Sequence, residues 1–290
     1  MADLLSLEHD SADLARALPA LLADAQSLAA SLQAGSHGRR RSGTGETFWQ
    51  YRDYATEDSA SMIDWRQSAR SPNRLYVRET EWETAATIRL WVSPAPSMNY
   101  RSGNAPTKAW RAMTLATATA LLLIRAGEKV ALLDPMTPAR GGQRAVTDIA
   151  EYLLRSSATN TLPPLPPRGT TQTIYFSDFY EKTNDLVASI GAIAATGVPS
   201  HFVEIADDSE ETFPFTGRTL FQKPGQTGTG RLFGDAASIR SAYQQAREAH
   251  RGTFADACRR YGFARLSHVT AHPATTTLGA LHQAVAGERA

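Results

Sequence analysis

The chain is short of the features that mark several protein classes. Its 290 residues contain one cysteine, Cys258, so no intramolecular disulfide can form and a reducing, cytoplasmic setting is expected. Net charge is only +1, so no whole-molecule field draws the chain to nucleic acid or to acidic membranes. The longest apolar-rich run, Met113 to Ile124, carries three threonines and spans about 12 residues, against the roughly 20 that cross a bilayer. It reads as a buried core helix. The first residues show no basic region followed by an apolar run, and no secretory signal is expected there.

Catalytic motifs are equally scarce. Gly225, Gly228 and Gly230 lack the closing lysine and serine or threonine of a phosphate loop, so a flexible insertion is expected there. Ser177 beside Asp178 lacks the flanking glycines of a nucleophile elbow. His268 and His272 have the spacing of a zinc pair, but no glutamate lies between them and Pro273 follows. Cys258 falls on a half-buried helix pattern and reads as a structural thiol. Arg39, Arg40 and Arg41 are consecutive, yet three arginines in a loop of a neutral chain read as solvated, and no nucleic-acid partner is expected.

What is present is an ordinary folded composition: 42% apolar and 20% charged residues, enough for a substantial core. Helical spacing of leucines predicts a helix over Leu4 to Leu32, interrupted or kinked at Pro19. From Glu46 to Glu83 aromatics and charges of both signs alternate, with a short strand expected from Arg74 to Arg78. Strands are then expected at Thr87–Val92, Lys129–Leu133, Thr173–Phe176, Ser200–Ile205 and Arg265–Val269. Helices are expected between and after them: Lys108–Arg125 closed by Gly127, Ala145–Leu154, Asp185–Ala195, a long one capped by Asp235 and running to about Tyr261, and Leu278–Val285. A proline-bearing linker runs from Ser156 to Gly169, and an insertion from Asp207 to Gly234. This alternation predicts an α/β fold, a doubly wound and mainly parallel sheet. Residues 1–83 are expected to form a helical and charged, aromatic module, and 84–290 the sheet domain.

Three blocks, Gly43 to Tyr54 (GTGETFWQYRDY), Ile63 to Arg70 (IDWRQSAR) and Leu75 to Glu79 (LYVRE), are followed by an apolar strand and the pair Ser97-Met98. In this the chain resembles the bacterial domain-of-unknown-function family fifty-eight, chiefly over Gly43 to Ala195. The resemblance implies a von Willebrand factor A-like domain behind a small charged module. It also implies a role beside AAA+ ATPases of the MoxR type, as a partner in assembly or chaperone work. Many family members carry transmembrane helices, for which this chain offers no segment.

In A-type domains the loop after the first strand reads D-x-S-x-S and holds a divalent cation, completed by a threonine and a second aspartate. The matching positions here are Ser93, Ala95 and Ser97, with Asp178 as the second aspartate. The leading aspartate is a serine and the middle serine an alanine, and only Thr147 offers itself, poorly, for the threonine. Magnesium demands hard, charged oxygens at about 2.1 Å, so Ser93, Ser97 and Asp178 form a degenerate site expected to be metal-free, and no cofactor is expected.

The charged set Asp53, Asp58, Asp64, Arg66, Arg70, Arg78 and Glu79, around Trp65 and Tyr76, admits two readings, with Asp64, Trp65, Arg66, Arg70, Arg78 and Glu79 as the candidate interaction residues. It is a recognition surface, since Arg and Trp are favoured anchors, or it is a buried ion-pair network that docks the module. Two functions follow. The first is a non-enzymatic adaptor for a protein partner, a MoxR-type AAA+ ATPase. The alternative is a metal-assisted hydrolase using the strand-end face around Asp178.

Overall fold

Strand residues here are apolar in continuous runs, and such runs need cover on both faces. A computed structural model describes residues 17–32, 47–55, 58–60, 63–71, 74–81, 85–155, 161–222, 228 and 230–287, with 47–50 and 78–81 described in backbone only. The expectations that fall on residues 4–16, on Arg39, Arg40 and Arg41, and on Gly225 lie outside these residues. The described helices and strands fall into two units, 39–85 and the remainder.

The smaller unit is an antiparallel pair, β1 (Thr47–Asp53) and β2 (Tyr76–Glu81), with a one-turn helix α2 (Trp65–Ser68) between them. The strand expected at Arg74 starts two residues later. Val77 is buried, and Ile63 bridges to it across the turn.

The larger unit contains the helix α1 (17–32), which continues past Pro19 without a break in this span. The strands β3 (Thr87–Val92), β4 (Lys129–Leu132), β5 (Gln172–Ser177), β6 (Ser200–Ala206) and, after the insertion, β9 (Ala264–Val269) form one sheet in the order β4-β3-β5-β6-β9. All four pairings are parallel. The central strands β5 and β6 are buried at every residue.

The helices sort onto two faces because side chains alternate along each strand. On one face Ile88, Leu90, Ile174, Phe176, Val203 and Ile205 pack on α3 (Lys108–Arg125), α4 (Gln143–Arg155) and α8 (Ala274–Gly287). Ala25, Leu28 and Ala29 of α1 join this cluster, and Trp110 Nε1 donates to Asp24 at 2.9 Å. The first helix thus belongs with the sheet. On the other face Trp91, Tyr175 and Phe202 pack on α5 (Thr183–Ala194) and α7 (Arg240–Arg260) through Ile190, Phe254 and Ala257. This is the doubly wound α/β arrangement.

Local signals set the ends of α3. Thr107 accepts from the backbone N–H of Trp110 at 3.1 Å, satisfying one free donor of the first turn. Gly127, at φ 89°, turns the chain where a side chain would clash. The described residues of the insertion include regular elements: the short helix α6 (Asp208–Thr212) and a hairpin of β7 (Thr219–Gln222) and β8 (Gly230–Phe233). Phe221 and Phe233 of the hairpin meet edge to face, Phe213 stacks on Phe221, and Tyr243 packs on Phe213. Asp235 caps a short 3-10 turn, Ala236–Ile239, and α7 follows it.

Candidate functional site at the strand ends

The chain leaves β3 to form β4 on one side and returns to form β5 on the other. Loops at the carboxyl ends of β3 and β5 therefore diverge, at the position where sheets of this kind bind ligands. Ser93 and Asp178 are the first residues beyond those two strands. Both are buried, and the N–H of Ser93 still donates to Phe176 O at 2.9 Å. The Ser93 hydroxyl accepts from Ala95 N at 3.2 Å. Ser97 lies half-buried in a 3-10 turn, Pro96–Asn99, anchored by buried Met98.

A residue to which the sequence reading gave no role in the site stands beside Asp178. Lys108, the first residue of α3, has no exposed surface. Its Nζ donates to Asp178 Oδ2 at 2.8 Å and to Glu210 Oε1 at 2.7 Å, and lies 4.7 Å from the centre of the Tyr180 ring. One ammonium is thus shared by two carboxylates from β5 and α6 under an aromatic lid. Desolvating such charges costs several kcal/mol each, and only close pairing offsets it.

Glu210 has a second role in the capping box of α6. Its Oε2 accepts from Asp207 N at 2.8 Å, while Asp207 Oδ1 accepts from Ser209 N at 2.9 Å and from Ser209 Oγ at 2.7 Å. Asp207 Oδ2 accepts from Ser102 N at 2.9 Å. Burial alone would raise the Asp207 carboxyl, but the hydrogen bonds from Ser102 and Ser209 outweigh it and hold it below the usual range. Tyr100 and Ser209 share a 2.9 Å hydrogen bond between hydroxyls, which ties the loop after β3 to α6.

A second ionic chain runs beside the first. Glu211 is clamped by Arg247 at 2.6 Å and Arg251 at 2.7 Å, and Arg251 and Arg265 both reach buried Glu204. Arg247 Nε also donates to the Tyr180 hydroxyl at 3.2 Å. Glu181, three residues past Asp178, is pushed up to about 7, first by burial and further by the Asp178 charge.

A divalent cation does not fit the Ser93, Ser97, Asp178 set. Asp178 Oδ2 already accepts from an ammonium, and a dication in the same buried space would be repelled by it. Among the described residues no group of three or more His, Cys, Asp or Glu is arranged to hold a metal ion. His268 Nδ1 is 2.9 Å from the Thr277 hydroxyl, and burial pushes the Cys258 thiol up to about 12.

The charged module divides. Asp64 caps α2, accepting from Gln67 N at 3.0 Å. Trp65 is 64% exposed, Arg66 beside it on α2 is exposed, and Arg70 is exposed two residues past the end of that helix. Arg78 and Glu79 stand in β2 opposite Tyr51 and Gln50. The half-buried ion pair of the unit is Arg52 with Asp58, at 2.7 Å; the guanidinium beside it holds the Asp58 carboxyl down at about 2.

With the geometry in place, comparison with known proteins places the chain. The model of the family described as "Protein of unknown function DUF58" matches residues 50–253. The chain belongs to the DUF58 family. Two solved structures are similar to this DUF58 chain. One is a conserved hypothetical protein BatB from Bacteroides thetaiotaomicron, at 11% identity and TM-score 0.43, over 70% of this chain and 100% of that one. The other is an aerotolerance-related membrane protein from Bacteroides fragilis NCTC 9343 with multiple mutations to serines, at 9% identity and TM-score 0.39, over 69% of this chain and 98% of that one. No curated protein matches the chain. Among the described residues no helix is long and apolar enough to cross a membrane.

Proposed function

We propose that this DUF58 chain is a non-enzymatic interaction module, a cytoplasmic adaptor or co-chaperone whose partner is an AAA+ ATPase of the MoxR type. The observation that carries the reading is Trp65, 64% exposed on a one-turn helix beside exposed Arg66 and Arg70. Tryptophan and arginine are the side chains that dominate binding energy at protein interfaces, and an exposed tryptophan held by a capped helix is already oriented for contact. The opposing reading, a hydrolase working through Asp178, needs a carboxylate free to act on a metal or a water. Asp178 is instead bonded to Lys108 beneath Tyr180. The family's A-type architecture and its association with such ATPases supply the partner class.

The test is affinity capture from the native host, with wild-type protein and with a Trp65→Ala, Arg66→Ala variant as baits. A MoxR-type ATPase should be retained by the wild type and depleted at least tenfold by the variant, since loss of an anchor of this kind costs about 2 kcal/mol or more. Equal retention by both baits would remove Trp65 from the interface. Absence of any ATPase from the wild-type eluate would remove the partner.

A further inference from the structure

The carboxylates at the strand ends are arranged around a cation, and the cation is part of the chain. Asp178 arrives from β5 and Glu210 from α6, 32 positions later, and both are aimed at one point at the start of α3. At that point stands Lys108 Nζ, at 2.8 Å and 2.7 Å from the two oxygens and without solvent exposure. We infer that Lys108 is the resident cation of this site: its ammonium takes the charge-balancing role of a divalent ion, and its removal uncovers a site for one.

Two carboxylates held close in a buried space repel each other unless a positive charge lies between them. A metal ion and an ammonium satisfy that need equally in charge sign, but they differ in attachment. A metal exchanges with the solvent; Lys108 is fixed by its backbone to α3, whose first turn Thr107 caps. The ammonium links three elements, α3, the β5 end and α6, in every folded molecule, with no dependence on ion concentration. The Tyr180 ring, 4.7 Å away, covers the charge with its negative face. Ser93, where the resemblance places the metal-binding aspartate, is neutral, and that change accords with a site carrying one fewer positive charge than a dication would bring.

The measurements are thermal unfolding and manganese binding by paramagnetic resonance, on the full chain. The wild type should melt at one temperature with chelator and with millimolar magnesium or manganese, and should bind no manganese. Lys108→Met leaves buried Asp178 and partly buried Glu210 without a cation. It should melt about 10 °C lower, by the cost of breaking a buried pair, and should recover most of that loss on adding manganese, with a bound-ion signal. Lys108→Met with Asp178→Asn removes one charge of each sign; it should melt above the single variant and give no manganese response. A metal-dependent melting temperature in the wild type would overturn the inference. So would a folded Lys108→Met protein indifferent to manganese. Should Lys108→Met not fold at all, the double variant decides: if it too stays unfolded, Lys108 serves packing and not charge balance, and the inference falls.

Discussion

At the residue scale, burial and charge decide how each titratable group behaves. Glu181 lies close to Asp178 with one buried oxygen that has no partner among the described residues, and its carboxyl is raised to about 7 by burial and then by Asp178. In the unfolded chain it would titrate near 4.5. The folded state therefore holds an extra proton between these values, and stability falls as pH rises through that window. Glu181→Gln mimics the neutral form and removes the loss. The variant should match the wild type near pH 5 and exceed it by about 2 kcal/mol near pH 8, after allowance for partial exposure. Urea unfolding at both pH values reads this; an equal difference at the two pH values would place the Glu181 carboxyl in water. The same scale explains what the sequence hid. Lys108 is an unremarked lysine in a string of apolar residues, and its partners lie 70 and 102 positions away.

At the element scale, periodicity was a sound guide. The helix Lys108–Arg125 has the expected bounds, and Leu121 on it has no exposed surface. Leu121→Asp should abolish folding, because an unpaired buried carboxylate costs several kcal/mol against a total stability of about 5–15 kcal/mol. Circular dichroism of the purified variant would show it; native-like cooperative melting would place Leu121 at the surface. The sheet strands agree with expectation to within one or two residues, since apolar runs bounded by Gly, Pro and Asp are local signals. The hairpin β7–β8 was not foreseen. Its strands are four residues each, with little apolar alternation, and its support comes from Phe213 and Tyr243 outside it. The charged module also resists sequence reading: alternating Arg, Asp and aromatics suit a buried network and an exposed face alike, and only exposure separates Trp65 from Asp58.

At the scale of the whole molecule, the buried histidines set the acid limit of stability. His201 on β6 and His268 on β9 are both lowered to about 4, His201 by burial and His268 by burial followed by the Arg111 and His272 charges. In the unfolded chain each titrates near 6.5. Their neutral burial contributes stability that is fully present above about pH 6.5 and lost as pH falls toward 4. Glu181 acts in the opposite sense over an overlapping range, but two groups outweigh one. Unfolding free energy should drop by about 1–2 kcal/mol between pH 7 and pH 5, and the drop should steepen in Glu181→Gln. A flat profile over this interval would show that neither histidine is buried neutral.

The sequence by itself determined the class of fold, the place of nearly every strand and helix of the parallel sheet and its cover, and the family. These rest on short-range signals: apolar spacing, caps, turn residues and motif letters, each read within a few positions. Only the tertiary structure decided what stands beside Asp178 and which charges face water. Strand order β4-β3-β5-β6-β9 brings α3, β5 and α6 to one end of the sheet, and a charge interaction depends on that separation in space and on the exclusion of water, neither of which is a property of neighbouring letters.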